Sequence, residues 1–289
     1  MKTPTPFSDL ASTAHIAQTG SPRFARDDKA QGMGSCTLVG AGPGDPELLT
    51  LKAVKAIASA TVLLVDDLVN DAVLEHASPS ARIVHVGKRG GCKSTPQAFI
   101  DKLMITAVQE GEHVVRLKGG DPFIFGRGGE EVEHLRQAGI DVEVVNGITS
   151  GLAGMSSLGA PLTHREHAHG VVFVTGHAKP GDSGTDWVQL ATTAHQAKLT
   201  LVIYMGVSSL DHISRGLLQG LPAQTPVAVV QHASLPTQRQ ALTTLGELVA
   251  TVQHEGLQSP SIIVVGDVVQ GARAWHGSQE SAHLNHRTA

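Results

Sequence analysis

The sequence predicts an α/β protein built from two α/β domains. Short apolar runs rich in β-branched residues alternate with segments of helical period, which is typical of α/β layering. The runs are continuous rather than alternating, as in strands covered on both faces. A chain of 289 residues suits about two domains, and the polar, proline-interrupted stretch 159–170 marks their connection. We therefore predict a disordered tail at 1–33, domains at 34–160 and 161–270, and a second tail at 271–289.

In the first domain, apolar runs bounded by glycine and aspartate predict strands at 36–42, 61–67, 82–87, 113–121 and 141–145. Helical spacing predicts helices at 48–60 and 130–139, and a third that starts near Pro96 and stops at Gly111. Ser94 or Thr95 is suited to cap that third helix. In the second domain the same patterns predict strands at 169–177, 199–206, 225–231 and 260–267, with helices at 209–220 and 243–256.

Composition excludes several classes of protein. The formal net charge is -4 and aromatic residues are 3%, so neither a basic surface nor stacking platforms point to nucleic acid. Cys36 and Cys92 are too few for a disulfide scaffold or a multi-cysteine zinc site, and a reducing cytoplasm is expected. No apolar run approaches the ~18 residues of a membrane helix. The first residues lack the apolar core of a signal peptide.

Glycine is abundant, with 32 residues, and much of it falls where predicted strands end. Ligands of open α/β sheets bind beyond the carboxyl ends of the strands. Several glycine-lined loops at one sheet edge therefore indicate a ligand site. The glycines in question are Gly40, Gly42, Gly44, Gly87, Gly90, Gly91, Gly119, Gly120, Gly147 and Gly206.

The first of these loops, GAGPGDPE at 40–47, is similar to a dinucleotide fingerprint. Asp66 ends the next predicted strand, where a ribose-binding acid would stand. A nicotinamide oxidoreductase is therefore one alternative. Against it, Asp45 occupies the position of the third glycine, and Pro43 removes a backbone donor that a pyrophosphate would need. A tight strand-to-helix turn explains the same residues.

The stretch RLKGGDPFIFGRGGEE at 116–131 is the most specific in the chain. It combines five glycines with charged residues and with an apolar cluster at Phe123–Phe125. A purely structural loop explains the glycines but not the charges and aromatics packed beside them.

Together with GAGPGDPELLTLKA, VGKRGG, NGITS, PLTHR, FVTGH, YMG and PSIIVVG, this stretch resembles the tetrapyrrole methyltransferase family over roughly residues 36–270. The resemblance implies two α/β domains with the active site in a cleft between them, a homodimer, and S-adenosyl-L-methionine as methyl donor, leaving S-adenosyl-L-homocysteine. It implies methylation of uroporphyrinogen III at C2 and C7 to give precorrin-2 (dihydrosirohydrochlorin), which feeds sirohaem, cobalamin or haem d1 synthesis. Another tetrapyrrole, or a non-tetrapyrrole substrate, is the nearer alternative.

The resemblance also implies roles for particular residues. The donor site is expected to be lined by Pro43, Gly119, Gly120, Asp121, Ile124, Thr149, Ser150, Met205, Ala233 and Ser261. The substrate side is expected to use Lys88, Arg127, Glu130, His164 and Arg165, with Lys118 among the cations that meet substrate carboxylates. For catalysis we select Arg127 for proton handling, with Glu130 orienting it, and Asp66 as a second acid or base. An arginine is normally always protonated, which argues against Arg127 as a literal base.

Three residues depart from the family pattern: Val65, Lys93 and Asn146. Asn146 stands in place of a proline, and we expect this change to loosen the loop before Thr149. The histidines of HREHAH at 164–169 fit no standard helix-borne ligand set, so no metal is expected.

Overall fold

The computed structural model describes residues 34–87, 96–178, 181 and 184–272. The tail predicted at 1–33 and almost all of that at 271–289 lie outside the described residues, as do the capping candidates Ser94 and Thr95. Gly271 and Ala272 are helical.

The first half of the chain forms a parallel five-stranded sheet of order β3-β2-β4-β1-β5. Its strands are β1 (Ser35–Gly40), β2 (Val62–Val65), β3 (Arg82–His85), β4 (His113–Lys118) and β5 (Val142–Val145). All five were predicted, with bounds that differ by a few residues at their glycine-rich ends. Parallel order places every carboxyl end, and so the glycine loops that follow the strands, at one edge.

Four helices accompany these strands: α1 (Leu51–Ser59), α2 (Gln97–Gln109), α3 (Gly128–Gln137) and α4 (Ser150–Ser157). Short 3-10 turns at Pro46–Leu48 and Asp71–His76 complete the connections. Thr50 caps α1, since its hydroxyl accepts a hydrogen bond from Ala53 N at 3.1 Å. No helix was predicted where α4 lies.

The second half forms a mixed sheet of order β6-β7-β10-β8-β9. Its strands are β6 (Gly170–Thr175), β7 (Leu199–Tyr204), β8 (Pro226–Gln231), β9 (Arg239–Thr244) and β10 (Ser261–Val265). Only β6 and β7 are parallel, and the other neighbours are antiparallel. The helices are α5 (Trp187–Ala197), α6 (Leu210–Leu217) and α7 (Leu248–Glu255), with a 3-10 turn at Val207–Ser209.

Two predictions in this half need correction. The helix predicted at 243–256 starts later, at Leu248, because Thr243 and Thr244 belong to β9. Neither β9 nor α5 was predicted. The sequence of β9 is largely polar, so it does not form the apolar run from which strands were predicted, although its inward residues Ala241 and Thr243 are buried.

Each sheet is covered on both faces. In β2, Val62 and Leu64 pack on the side of α2 and α3, whereas Leu63 and Val65 pack on the side of α1. In the second sheet, Leu201 and Ile203 face the helices α5, α6 and α7. The opposite face is covered by α4, which follows the last strand of the first sheet. The predicted α/β class is confirmed, and so is the two-sided burial of the central strands β2, β4, β7 and β10, whereas the edge strand β3 is mostly exposed. None of the helices in the described ranges has the length and apolarity needed to cross a membrane.

Candidate active site

The loops that follow β1, β4 and β5 meet at the carboxyl edge of the first sheet. Gly42 and Gly120 exchange backbone hydrogen bonds of 3.2 and 2.6 Å. A Cβ atom at Gly147 would lie 2.2 Å from the carbonyl oxygen of Gly120, and one at Gly40 would lie 2.5 Å from Gly147 N. Glycine is required at 40 and 147 because the three loops touch through their backbones. The predicted convergence of glycine loops is confirmed for these strands.

Asp121 fastens two of these loops together. Its Oδ1 accepts a hydrogen bond from Phe123 N at 2.8 Å, and its Oδ2 accepts from Gly147 N at 3.1 Å and from Asn146 Nδ2 at 3.2 Å. The side chain is buried. Asn146 was expected to loosen this loop, but its amide ties the loop to Asp121 instead. Three of the roughly four acceptor positions of the carboxylate are thus used within the chain.

Met205, Ala233 and Ser261 come together at one edge of the second sheet. Because β10 is antiparallel to both β7 and β8, its first residues lie beside the ends of those two strands. Ile262 stands opposite Tyr204, and Ser261 stands opposite Gln231. Ser261 therefore joins the edge although it begins a strand rather than ends one.

Tyr204 connects the two sets of loops. Its hydroxyl lies 2.7 Å from Thr149 Oγ1 and accepts a hydrogen bond from Gly151 N at 2.8 Å. Burial raises the pKa of the phenol, against the opposing effect of these hydrogen bonds. Its ring centroid is 5.0 Å from that of Phe125. Thr149 and Ser150, both predicted at the donor, are thereby held at the start of α4. The motif YMG contained Tyr204, but we singled out only the methionine.

A second connection runs through the loop between β8 and β9. Ser234 Oγ accepts a hydrogen bond from Asp45 N at 3.1 Å. Leu235 packs against Gly44, where an added Cβ would lie 2.7 Å from the leucine side chain. Pro43 lies between Gly42 and Gly44. Because Ser234 and Leu235 contact Asp45 and Gly44, the loop that carries Pro43 faces the loop that carries Ala233. No pattern in the sequence indicated Ser234 or Leu235.

The apolar character and the charge of the predicted donor residues suit a sulfonium nucleoside. Ile124 packs with Tyr204 and Ala233 in one apolar cluster, which suits a purine or a methyl group. None of the predicted donor residues is Lys or Arg, so none would repel a cationic sulfonium. A dinucleotide fits less well, because a 3-10 turn follows the glycine loop and α1 begins only at Leu51. No helix N-terminus therefore stands directly behind the loop to receive a pyrophosphate.

Asp66 lies at the end of β2 and lines a cavity of about 500 Å³. Its Oδ2 is 3.0 Å from Arg116 Nη2 and 3.6 Å from Lys118 Nζ. Burial acts to raise the pKa of this carboxyl, but the charges of Arg116 and Lys118 outweigh burial and hold the pKa below its usual range. Asp66 is therefore an ionised carboxylate that faces an open space.

Arg127 and Glu130 form an ion pair at the start of α3. Arg127 Nε lies 3.2 and 3.1 Å from the two carboxylate oxygens, and Nη2 lies 2.5 Å from Oε2. Arg127 is 55% exposed and has a left-handed φ of 58°. The hydrogen bond to Glu130 raises the pKa of Arg127 further, which keeps the guanidinium charged. This state suits carboxylate binding and not the removal of a proton.

The predicted substrate cations do not all reach solvent. Lys118 is 3% exposed and lies 3.2 and 3.1 Å from the two oxygens of Glu131. It is therefore a buried partner of Glu131, and the expectation that it meets substrate carboxylates is corrected. Lys88 lies outside the described residues.

His164 and Arg165 lie on an exposed turn that is closed by backbone hydrogen bonds between His164 and Ala168. The His164 ring stacks on His167 with centroids 4.6 Å apart. Ligand atoms of His164, Glu166 and His167 fall within 4.8 Å of one another. The expectation that this segment binds no metal stays a prediction, as does substrate binding by His164 and Arg165. One nitrogen of His164 already accepts a hydrogen bond from Glu166 N at 3.2 Å.

Comparison with known proteins shows the family of the chain. Residues 35–249 match the family described as Tetrapyrrole (Corrin/Porphyrin) Methylases. The chain is 54% identical over 238 residues to a uroporphyrinogen-III C-methyltransferase of Pseudomonas aeruginosa, covering 82% of this chain and 95% of that protein.

Solved structures agree with this match. A uroporphyrin-III C-methyltransferase from Thermus thermophilus, complexed with S-adenosyl homocysteine, shares 41% identity and a TM-score of 0.68, over 82% of this chain and 93% of that one. A cobalamin biosynthetic enzyme, cobalt precorrin-4 methyltransferase, shares 27% identity and a TM-score of 0.71, over 80% and 94% of the two chains. The glycine loops, the α/β architecture and these matches together show that the chain belongs to the tetrapyrrole (corrin/porphyrin) methylase family.

Proposed function

We propose that this protein is a uroporphyrinogen-III C-methyltransferase. It transfers methyl groups from S-adenosyl-L-methionine to C2 and C7 of uroporphyrinogen III and so produces precorrin-2. The observation that carries the proposal is the 54% identity to the Pseudomonas aeruginosa enzyme over 95% of that enzyme's length. The convergence of the predicted donor residues on two facing sets of loops supports it.

When bound, S-adenosyl-L-methionine supplies an electrophilic methyl group on sulfur. The chain's part is to hold the donor and the acceptor carbon in line, because methyl transfer needs placement more than covalent help. The loops that follow β1, β4 and β5 carry predicted donor residues, and we call them the donor loops. Asp121, Thr149 and Tyr204 fix these loops through their hydrogen bonds. Met205 and Ala233 supply an apolar wall on the side of the second sheet.

Asp66 is suited to accept the proton that leaves the methylated ring. It is ionised, it is partly exposed, and it faces the cavity beyond β2 and β3. Arg127 is suited to bind a substrate carboxylate, with Glu130 holding the guanidinium in place. We assign Lys88, His164 and Arg165 to the same polycarboxylate substrate, since each carries or can gain a positive charge.

The proposal includes a homodimer in the cytoplasm. The dimer rests on the family resemblance. The cytoplasmic location is supported by the low cysteine count and by Cys36, which is a buried free thiol. The molar mass in solution, measured by light scattering during size-exclusion chromatography, tests the dimer.

Anaerobic incubation with uroporphyrinogen III and methyl-labelled donor tests the activity. We expect two labelled methyl groups per ring, and calorimetry should show binding of S-adenosyl-L-homocysteine but not of NAD. If folded protein binds S-adenosyl-L-homocysteine but transfers no methyl group to uroporphyrinogen III, the proposed substrate is overturned. Binding of NAD in place of S-adenosyl-L-homocysteine would instead favour an oxidoreductase.

A different tetrapyrrole is the second candidate for the acceptor. The TM-score of 0.71 to the cobalt precorrin-4 methyltransferase favours it, although that identity is only 27%. A panel of tetrapyrroles offered at equal concentration separates the two candidates, and the larger kcat/KM identifies the substrate.

A further inference from the structure

A group of charged side chains lies inside the first half of the chain, behind the candidate catalytic residues. Arg116, Lys118 and Glu131 have side-chain exposures of 2%, 3% and 0%. Glu131 Oε1 accepts from Arg116 Nε at 3.1 Å and from Lys118 Nζ at 3.2 Å. We call these three residues the buried ion cluster.

Burying the charges of this cluster costs free energy, so a gain in stability does not explain why the cluster is there. Removing charges from water is expensive, and well-packed apolar residues of similar volume often stabilise a protein as well or better. Its residues are also held from several sides, since Arg116 donates to the carbonyls of Leu64 and Leu117, and Gln97 donates to Glu131. Because its side chains are held by several hydrogen bonds, the buried ion cluster fixes the positions of the groups that it contacts.

One end of the cluster touches Asp66. Arg116 and Lys118 both reach its Oδ2, at 3.0 and 3.6 Å. With Glu131, the group contains two cations and two carboxylates, so its charges balance. Asp66 is the member that emerges, with 34% of its side chain exposed toward the cavity. That cavity is also lined by Asp67, Asp71 and His85.

The other end of the cluster holds the first turn of α3. Glu131 belongs to this helix, and its backbone N–H donates to Arg127 O at 3.2 Å. Glu130 precedes it and pairs with Arg127 at the surface. Because the buried carboxylate of Glu131 is bonded to β4, it sets how the turn that carries Arg127 and Glu130 meets the sheet. One buried residue therefore lies between the two candidate catalytic groups.

We propose that Glu131 is a positioning residue for methyl transfer, which holds Asp66 through Arg116 and Lys118 and holds the Arg127–Glu130 pair through α3. The inference rests on the proposed function. Nothing in it requires Glu131 to touch substrate or donor, and the donor loops are held by other residues.

The test uses the full-length protein with Glu131→Gln, which keeps the shape of the side chain and removes its charge. We expect kcat to fall on the order of 10- to 100-fold, since small misplacements of catalytic groups have effects of this size. The affinity for S-adenosyl-L-homocysteine should stay within about twofold. Glu133→Gln, on the exposed side of the same helix, is the matched control and should retain the wild-type rate.

Two further readouts separate positioning from general damage. In an Asp66→Asn background, Glu131→Gln should lower kcat less than it does in the wild type, because one of the two groups it positions is already disabled and only the effect through the Arg127–Glu130 pair remains. Loss of the Glu131 charge leaves two cations facing Asp66, so the acid limb of the kcat profile should move to lower pH. Lys118→Met should move that limb to higher pH.

The outcomes are distinct. If the wild type transfers methyl groups and Glu131→Gln matches it in rate and pH profile, the positioning role is overturned and the proposed function stands. If the wild type transfers none, the proposed function fails and the inference fails with it. Should Glu131→Gln not fold, Gln97→Leu removes one hydrogen bond to Glu131 together with one to Asp101 and enters the same double-mutant comparison, where additive effects would refute the inference.

Discussion

Replacing Gly147 by alanine should damage the donor loops directly. The new Cβ would lie 2.2 Å from the carbonyl oxygen of Gly120 and 2.8 Å from the carbonyl carbon of Gly40. Both are backbone atoms, so no side chain can rotate away. Since close C···O contacts in proteins are about 3.3–3.6 Å, the loops must separate by roughly 1 Å.

Overpacking of this kind costs about 1–3 kcal/mol. At about 2–4 °C per kcal/mol for a protein of this size, a cost near ~2 kcal/mol lowers Tm by roughly 4–8 °C. The shift also strains the bond from Gly147 N to Asp121. The donor residues on either side then move apart, and we expect the Kd for S-adenosyl-L-homocysteine to rise at least about tenfold, or ~1.4 kcal/mol.

Differential scanning fluorimetry and calorimetry with S-adenosyl-L-homocysteine measure these two effects. Gly129→Ala is the matched control. Among the described residues, no atom outside the neighbouring backbone of α3 lies within 4 Å of an added Cβ there, and the residue is exposed on α3. Alanine should be neutral at that position or stabilise the helix by up to about 1 kcal/mol. If Gly147→Ala kept both the Tm and the affinity of the wild type, the loops would not be packed as described.

Tyr204→Phe removes the hydroxyl that bonds to Thr149 and Gly151, and urea denaturation should show a loss of about 1–3 kcal/mol; a smaller loss would mean that water replaces the phenol. Tyr204 is the single tyrosine of the chain, so ultraviolet difference absorbance reports its ionisation alone. Its pKa is raised above the ordinary 10.0, so its contribution to stability is complete below that pH and is lost as the pH rises through the folded value. Burial raises the pKa of Cys36 to about 12, so iodoacetamide should label it only on unfolding, and labelling of the folded protein at neutral pH, mapped by mass spectrometry, would contradict this. Arg127→Ala should raise the KM for uroporphyrinogen III about tenfold or more and leave the Kd for S-adenosyl-L-homocysteine unchanged; steady-state kinetics with wild-type KM would remove Arg127 from the substrate site.

The first sheet was predictable because each strand is an apolar run that ends in glycine or aspartate. In a parallel sheet, such endings meet at one edge, so the convergence of the loops at Gly40, Gly120 and Gly147 follows from the sequence pattern. The pattern did not reveal why glycine is needed. At 40 and 147 the reason is contact between loops, whereas the sequence suggested contact with a ligand.

Helix α4 could not be predicted from local preference. Its sequence, SGLAGMSS, is rich in glycine and serine, which are weak helix formers. The helix exists because it covers the second sheet. An added Cβ at Gly151 would lie 2.4 Å from the Tyr204 hydroxyl, and one at Gly154 would lie 2.6 Å from Ile262. Tertiary packing therefore selects the residues that local propensity disfavours, and the contact is invisible until the second sheet is placed.

The burial of Lys118 was within reach of the sequence. Side chains alternate along a strand, so Val114, Arg116 and Lys118 of β4 share one face. Val114 packs in the core beneath α2 and α3, which directs both cations toward those helices. We assigned Lys118 to the substrate because it belongs to a glycine-rich motif. The alternation of side chains along the strand, which places Lys118 beside Arg116 on the buried face, was not taken into account. The acid at Glu131 was the available sign that the two cations have an internal partner.

The proposed function assigns different charges to the two parts of the candidate site. A sulfonium donor is a cation, and the residues predicted to line its site include no Lys or Arg. A polycarboxylate substrate needs cations, and Arg127 and Arg165 are exposed, the first just before α3 and the second on the turn after α4. Arg116 and Lys118 are buried and paired with Glu131 and Asp66, so these two cations add little net charge to either part. The formal net charge of -4 does not show this arrangement, because it sums the charges of the whole chain without regard to their positions. A positive substrate surface can therefore exist on an acidic protein without opposing the binding of a positive donor.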